Sequence, residues 1–487
     1  MESNESNLTL VAVRGTFWTL AANYGGKVLV FLSTVVLAQL LTKEDFGVAG
    51  YALVVISFLE AFSDLGMGQA LIFQREEPGT ADTAFWLGLV IATALFVVTW
   101  ITAPLTGMLF NDERAVDVTR ALALTFPITA LSDTHSALLN KKLLFGRKVI
   151  PEFVRASGKG LVSIVLALLG FGTWSLIFGQ VGGTAVAVFA FWHALRWRPS
   201  FRFTRRLVRP LLSYGVKIAV FQMLGMVFLN LDYLLVGRYL GPVALGAYTL
   251  AFRVPELLVK QFLGMVSKVT FPVFSKMRND QVPLGDGFLT TVRYMTMITI
   301  PMALGLALVA EPFVLTVFGQ KWAEAIPVIA AISIYTLLRS LSFNIGDVYK
   351  AQGRPGLLTA LAVVRVAILL PALWWAVTGP ATITAVGWTQ AVVAVVVVVI
   401  NLVIAQRMLG LRLGVIATAV RPAAIGGSVM TLAVLGTLTI VADAPPVVQL
   451  VAAVSAGAST YIGALWWLQR DVVMKAGRTL RAAFSRR

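Results

Sequence analysis

Runs of about twenty apolar residues follow one another along nearly the whole chain, and each is long enough for a helix to cross a bilayer. Apolar residues make up 58% of the sequence and charged residues only 13%, which leaves too little polar surface for a soluble protein of 487 residues. A membrane β-barrel would show short segments of alternating hydrophobicity instead. The sequence therefore predicts an all-α polytopic membrane protein.

The apolar runs predict about fourteen transmembrane helices with both termini in the cytoplasm. Basic residues collect in alternate loops, as expected for loops on the cytoplasmic side, while the opposite loops mix a few basic residues with acids. The first run is too long for a signal-peptide core and follows an acidic start, so it is expected to be a true span. The predicted spans are 12–40, 46–72, 82–109, 116–139, 150–170, 173–195, 209–238, 243–274, 289–310, 324–349, 356–377, 380–405, 415–440 and 446–468.

The formal net charge of +17 is explained by these cytoplasmic loops, so no nucleic-acid partner is expected. The longest cationic loop, 196–209 (RWRPSFRFTRRLVR), lies between the sixth and seventh spans. Its simplest interpretation is a loop that touches anionic lipid headgroups. Membrane lipids are thus expected partners, and the same loop is a natural joint between two halves of the chain.

Short segments of the first half recur in the same order in the second half. The pairs are YGGK (24–27) with YGVK (214–217), LLTKEDFG (40–47) with YLGPVALG (239–246), and LGM (65–67) with LGM (263–265). Six spans per half is an even number, so both halves enter the membrane in the same direction and are expected to be related by a pseudo-twofold axis, with a central cavity between them. The predicted organisation is a six-helix lobe 1–195, a linker 196–208, a six-helix lobe 209–405 and two further helices with a basic cytoplasmic tail 406–487.

Charged side chains inside the predicted spans point to a function, because each costs at least about 2.5–3.5 kcal/mol at mid-bilayer and normally faces a cavity or a partner. Such residues include Asp133, Asp347 and the candidates below. Lys27 and Lys217 occupy matching places in the two halves, which favours a positively charged cavity for an anionic cargo. The residues predicted to line that cavity are Lys27, Lys217, Arg253, Glu256, Lys260, Arg339, Arg365, Arg155 and Lys159.

Spacing supports part of this set but leaves an alternative open. Arg253, Glu256 and Lys260 share one helix face, and Pro255 among them is expected to loosen the local hydrogen-bond ladder. The alternative is an internal Glu256–Lys260 ion pair that only makes insertion tolerable. Arg155 and Lys159 share a face with Glu152 near a predicted cytoplasmic end, where long basic side chains can also reach water.

Three acids are candidates for coupling transport to H⁺ or Na⁺. Glu60 and Asp64 are i, i+4 carboxylates on one face, so one of them is expected to hold a proton unless Lys27 neutralises it, and Asp232 lies in the seventh span. A purely structural pair with Lys27 is the alternative. No cofactor and no metal are expected, since His135 has no second histidine or cysteine with which to form a ligand set. The sequence has no Walker A motif or Gly-rich nucleotide loop, so no enzymatic activity is predicted.

Four stretches carry a resemblance to a known family. They are LLNKKLLFGRK…GFGTWSLIFGQ…WRP within 138–199, VVLAQLLTKEDFGVAGYALVVISFLEAFSDLGMG at 35–68, VGRYLGPVALGAYTLAFRVPE at 236–256 and FGQKWAEA at 318–325. The chain resembles the polysaccharide transporter family, and within it the colanic-acid-exporter-like O-antigen and exopolysaccharide flippases of the multidrug/oligosaccharidyl-lipid/polysaccharide exporter superfamily. The resemblance covers the first twelve spans.

This resemblance implies two six-helix lobes around a central cavity, and movement of undecaprenyl-diphosphate-linked oligosaccharide across the bacterial inner membrane by alternating access. Polysaccharide polymerase and chain-length machinery are the further partners that it implies. The alternatives are a lipid II flippase and a cation-coupled multidrug exporter on the same fold, the latter expecting an acidic cavity. A glycan polymerase or ligase would need a large external loop with catalytic Arg or His residues, and the predicted external loops are short.

Overall fold

The computed structural model describes residues 25–63, 67–73, 77–354 and 356–470. Every element within these ranges is a helix, as predicted. The chain divides into two compact units, Met1–Gly246 and Ala247–Arg487. This division does not test where a sequence repeat begins, so the predicted lobes, linker and tail stay a prediction.

The described residues of the first unit form nine helices and most of a tenth, which runs on into the second unit. They are α1 (Gly25–Leu40), α2 (Lys43–Ser63), α3 (Met67–Phe73), α4 (Thr80–Thr102), α5 (Pro104–Phe110), α6 (Arg114–Ala123), α7 (Thr125–Lys141), α8 (Phe145–Leu168), α9 (Thr173–Ala194) and α10 (Arg205–Pro255).

The second unit begins inside α10, and its described residues continue with nine further helices, one π-helical turn and one 3₁₀ turn. They are the π-turn Glu256–Lys260, α11 (Gln261–Asn279), α12 (Leu284–Leu308), α13 (Ala310–Val317), the 3₁₀ turn Gln320–Ala325, α14 (Ile326–Ser342), α15 (Ile345–Ala351), α16 (Gly356–Thr378), α17 (Ile383–Leu409), α18 (Leu413–Ile440) and α19 (Pro446–Leu468).

Glycine and proline account for several breaks between helices. The assigned helix α10 contains one non-helical residue, Gly241, whose φ of 81° lies in the left-handed region that glycine adopts without strain. This break falls between the predicted seventh and eighth spans. Pro104 begins α5 directly after Ala103, which ends the long helix α4.

Ten helical stretches of the described residues are long and apolar enough to cross a membrane, and the shorter apolar helix Gly25–Leu40 precedes them. The all-helical membrane class is confirmed, whereas the count of fourteen is not. Large apolar side chains also face outwards: Ile440 and Trp467 are each 85% exposed. Such a surface suits contact with lipid acyl chains and not with water.

Small residues let helices of the first unit approach closely. A Cβ on Gly183 of α9 would lie 2.6 Å from the amide nitrogen of Lys159 in α8, and one on Gly179 would overlap Ser163. Bare backbones therefore meet along this interface, which is the usual device for packing helices where the hydrophobic effect contributes little. It fixes the position of Lys159 relative to α9.

The two copies of one repeated segment also meet within the first unit. A Cβ on Gly47 would overlap the carbonyl of Pro242, and a Cβ on Gly246 would overlap the carbonyl of Lys43. Gly47 and Gly246 occupy matching places in the predicted repeat. The contact is reciprocal, and it explains why both copies carry glycine there.

Candidate substrate-binding residues

Two arginines of the second unit converge on one tyrosine. Arg365 Nη2 donates a hydrogen bond to Tyr335 Oη at 2.8 Å, and Arg339 Nη1 approaches the same oxygen at 3.4 Å. The Arg365 guanidinium carbon also lies 5.8 Å from the centre of the Tyr335 ring. Tyr335 is only 5% exposed. Two cations thus share one neutral acceptor, and neither arginine has an ion pair with another residue in the described part of the chain.

Helix geometry brings these groups together. Tyr335 and Arg339 are one turn apart on α14, and Arg365 comes from the middle of α16. The Phe252 ring of α10 lies 6.2 Å from the Tyr335 ring, so the segment that carries Arg253 passes beside the same tyrosine. Side chains from α10 and α16 therefore lie beside Tyr335 of α14, and all three helices carry predicted cavity residues.

Pro255 ends α10 and is followed by the π-helical turn Glu256–Lys260. This agrees with the prediction that the proline loosens the local hydrogen-bond ladder. Single π-helical turns occur often at functional sites. Arg253 and Glu256 are half-buried on either side of the proline.

In the first unit the predicted cations are placed near acids. Arg155 Nη1 lies 3.7 Å from Glu152 Oε2, and its guanidinium carbon lies 5.6 Å from the centre of the Phe191 ring. Glu60 of α2 is within electrostatic range of both Arg155 and Lys159. The structure therefore places basic partners from α8 near Glu60, and these had not been predicted as its partners.

The start of α1 packs against the same stretch of α8. A Cβ on Gly26 would lie 3.6 Å from the Ala156 Cβ, and one on Gly25 would lie 4.0 Å from the Phe153 ring. The half-buried Lys27 thus follows directly after the residues that touch α8 beside Arg155. Helices α1, α2 and α8 bring Lys27, Glu60, Arg155 and Lys159 to one region of the unit.

The remaining candidates are assigned to neither cluster. Asp232 is 3% exposed within α10. Asp64 lies outside the described residues, and so do the side chains of Lys217 and Lys260. The assignment of all these residues to one substrate cavity stays a prediction.

Two polar centres of the second unit are missing from the predicted site. One is Tyr335. The other is Asp347, whose carboxylate accepts hydrogen bonds from Ser267 Oγ at 2.8 and 2.7 Å and from Thr270 Oγ1 at 2.8 Å, with Lys350 Nζ at 3.4 Å. Asp347 had been recognised as a charge inside a span, which is the signal that could have included it; Tyr335 has no such signal beyond its spacing to Arg339.

An apolar groove opens between α12, α18 and α19 in the second unit. Its volume is about 630 Å³, and its lining includes Pro301, Phe313, Met430 and Val454. The small residue Gly457 keeps α19 close to Met430 of α18. A groove with so little polar surface suits a hydrocarbon chain.

An ion-pair cluster occupies the loop between α5 and α6. Arg114 binds Asp112 through two hydrogen bonds, Nε to Oδ1 at 3.0 Å and Nη2 to Oδ2 at 2.9 Å, and its Nη1 lies 2.8 Å from Glu44 Oε1. The hydrogen bond from Arg114 lowers the pKa of Asp112 below its ordinary value, although burial acts in the opposite direction. The exposed Arg114 is thus paired with two acids of the same unit.

Two curated relatives are similar to the chain over most of its length. The teichuronic acid biosynthesis protein TuaB of Bacillus subtilis is 26% identical over 356 residues, which cover 72% of this chain and 73% of TuaB. The succinoglycan biosynthesis transport protein ExoT of Rhizobium meliloti is 28% identical over 322 residues, which cover 66% of this chain and 65% of ExoT. The chain thus spans about two thirds of ExoT.

Solved structures show the fold. The lipid II flippase MurJ in an inward closed conformation matches with a TM-score of 0.76 at 14% identity, covering 93% of this chain and 99% of MurJ. A multidrug resistance MATE family transporter of the MOP superfamily, in an inward-facing conformation, matches with a TM-score of 0.64 at 16% identity, covering 79% and 94%. These matches confirm the predicted fold.

A family model described as "Polysaccharide biosynthesis protein" matches residues 36–327. The match covers more than half of the chain and includes both copies of the segment that carries Gly47 and Gly246. It also contains three of the four stretches on which the resemblance was based and most of the fourth, which begins one residue earlier. The chain belongs to the polysaccharide biosynthesis protein family.

Proposed function

We propose that the chain is a flippase that moves an undecaprenyl-diphosphate-linked oligosaccharide from the cytoplasmic to the periplasmic leaflet of the bacterial inner membrane, for polysaccharide export. The observation that carries this proposal is the pair Arg339 and Arg365 on one phenol, because it holds two positive charges inside membrane helices without a described acid partner. Names such as biosynthesis transport protein among the relatives support it. The chain is a transporter and not an enzyme.

The chemistry of the cargo fits these residues. A diphosphate has several anionic oxygens, and arginine donates to such groups through two parallel hydrogen bonds. A diphosphate that displaces Tyr335 from Arg339 and Arg365 would gain charge-assisted bonds in place of bonds to a neutral oxygen. The apolar groove of the second unit offers a place for the prenyl chain. The sugar would travel through a water-filled path by alternating access.

Coupling, topology and partners are part of the same proposal. We expect transport to be coupled to H⁺ or Na⁺, with Glu60, Asp64 and Asp232 as the candidate acids and Asp347 as an addition, because acids inside membrane helices normally serve a function. Both termini are placed in the cytoplasm on the charge of the loops. A polysaccharide polymerase with its chain-length machinery would act on the exported product.

The test is transport by the purified chain in liposomes. The probes are an undecaprenyl-diphosphate oligosaccharide, lipid II and a cationic dye, each labelled, and the readout is the label that crosses the membrane. We expect movement of the oligosaccharide carrier, and we expect Lys27→Ala, Lys217→Ala and Arg253→Ala each to block it while the proteins insert normally.

The other outcomes distinguish the alternatives. Movement of lipid II alone would make the chain a lipid II flippase, an alternative that the MurJ-like fold keeps in view. Uptake of the dye alone would make it a drug exporter. Wild-type transport by all three alanine variants would remove these lysines and Arg253 from the binding site.

A further inference from the structure

A cationic pocket lies in the first unit, and none of the candidate site residues named above is among its lining residues. It is formed where the turn after α7 meets the start of α8 and the end of α9, and its volume is about 1000 Å³. Ile150 and Trp197 belong to its apolar wall. The basic side chains that line it are Lys142, Arg147, His193 and Arg196.

The charge of this pocket is not neutralised by the protein. No acid is among its lining residues, and none of its four basic side chains has a hydrogen bond or ion pair with another residue in the ranges that the structure describes. Other exposed arginines of the unit do have such partners, as Arg206 does with Glu77 at 2.9 Å. The pocket therefore offers several unused donors to an anion from outside the chain.

The wall of the pocket is held in place by neighbouring contacts. The Trp197 carbonyl accepts from His135 Nε2 at 3.2 Å, and the two rings meet edge to face with centres 5.2 Å apart. Arg198 donates Nη1 to the carbonyls of Trp192 and Trp197 at 3.0 Å each, with its guanidinium over the Trp192 ring. Arg198 is thus committed to the loop, whereas its neighbour Arg196 faces the pocket. A preformed wall lowers the cost of ordering a ligand.

Size and composition indicate the class of ligand. The volume far exceeds that of a single phosphate ion, since a water molecule takes about 30 Å³ in the liquid. Basic groups line one part, and Ile150, with 64% of its surface exposed, and Trp197 line another. The loops that carry Lys142, Arg147 and Arg196 are those predicted to face the cytoplasm, where basic pockets between membrane helices bind anionic headgroups.

We propose that this pocket binds the phosphate headgroup of an anionic membrane lipid, with the start of the lipid chain against Ile150 and Trp197. The pocket holds the lipid at the cytoplasmic end of α8 and α9. All its lining residues belong to the first unit, and the proposal does not depend on which cargo the protein moves.

The experiment measures lipid binding to delipidated full-length protein, with native mass spectrometry as the readout. The probes are phosphatidylglycerol, phosphatidylcholine and inorganic diphosphate. The site variant combines Lys142→Gln, Arg147→Gln and Arg196→Gln. The matched control combines Arg202→Gln, Arg205→Gln and Arg209→Gln, which removes the same charge from exposed residues just before α10 and in its first turns.

We expect phosphatidylglycerol to bind more tightly than phosphatidylcholine, and the site variant to weaken it at least about tenfold, while the control changes it less than about twofold. Equal weakening by both variants would mean diffuse attraction to a basic surface and would overturn the pocket. Displacement by inorganic diphosphate would identify a soluble anion as the occupant and overturn the lipid assignment. If the triple variant does not fold, Arg196→Gln alone is measured against Arg202→Gln with the same criteria.

Discussion

The two units treat positive charge inside their helices differently. In the first unit Arg155 lies 3.7 Å from Glu152, and Glu60 is within electrostatic range of Arg155 and Lys159. In the second unit Arg339 and Arg365 share only the neutral Tyr335. The first cluster is therefore partly neutralised by the protein itself, whereas the arginine pair keeps its charge for a ligand.

The acid of the second unit reinforces this contrast. Asp347 lies on α15, close in sequence to Arg339, yet its carboxylate is occupied by Ser267, Thr270 and Lys350. It is 2% exposed, so a change of partner would need repacking of its surroundings. The Asp347 carboxylate is thus already engaged by other residues. A unit built in this way is suited to an anionic cargo, and a drug exporter for cations would need the reverse.

The largest expected effect is loss of transport when both arginines of the second unit are neutralised. Arg339→Gln with Arg365→Gln removes two charge-assisted contacts worth roughly 1.5–3 kcal/mol each, so oligosaccharide transport should fall at least about 100-fold. The measurement is the initial rate in liposomes, normalised to folded protein. Tyr335→Phe is the control, because it keeps both charges and should lower the rate far less. A double variant with near wild-type rates would show that the pair does not meet the cargo.

The next expected effect separates stability from transport in the first unit. Arg155→Gln removes the ion-pair partner of Glu152 and one of the positive charges near Glu60. The melting temperature of this variant in detergent should therefore fall. Its transport per folded molecule should change less than about threefold, because this charge is already met by acids. Glu152→Gln is the matched change on the other side of the pair. If Arg155→Gln instead stops transport at unchanged stability, the two units act alike and the comparison fails.

The helices could be predicted from the sequence more fully than the sites. Apolar runs mark where a helix must satisfy its own backbone in lipid, so the predicted spans 356–377 and 446–468 differ from α16 and α19 by no more than one residue at either end. The repeated segments also marked Gly47 and Gly246 as matching positions, and the structure shows close contacts at both. The predicted boundary between the seventh and eighth spans coincides with the non-helical residue Gly241 inside α10. The absence of a longer loop there was not foreseen, because a single left-handed glycine can change the direction of the chain.

The contacts of the sites could not be read in the same way. Tyr335 in an apolar span looks like any membrane aromatic until Arg365 of another helix reaches its hydroxyl. The partners of Asp347 on α11 are 77 and 80 positions away in the chain. Charge inside a span indicates that some partner exists, but helix packing decides which one. The prediction of a basic interior therefore named cations without their acceptors, and it stays a prediction.

A smaller effect is expected at the buried acid of the second unit. Asp347→Asn removes the charge that Lys350 faces and weakens the hydrogen bonds from Ser267 and Thr270, so the free energy of unfolding should fall by about 1–3 kcal/mol. The measurement is chemical unfolding in detergent, with Ser267→Ala as a milder change of the same network. Adding Lys350→Gln to Asp347→Asn should restore part of the lost free energy of unfolding, since it removes the positive charge that has lost its acid partner. Full transport at reduced stability would mark the network as structural, and loss of ion dependence would assign it to coupling.

The smallest effect is expected at the surface, where water screens the ion pair that Arg114 forms with Asp112. The hydrogen bond from Arg114 lowers the folded-state pKa of Asp112, so this pair stabilises the fold above the ordinary aspartate pKa of about 3.9 and loses that contribution as the pH falls through the lowered value. Wild type should therefore melt slightly above Asp112→Asn at pH 7, and the gap should narrow as the pH falls below about 3.9. Asp117→Asn is the control, because that acid is 68% exposed and lies 3.9 Å from Arg120. A gap that persists at low pH would mean that Asp112 stabilises the fold through packing and not through its charge. The acids around Arg114 would then not neutralise its charge, and the contrast with the arginine pair on Tyr335 would be weaker.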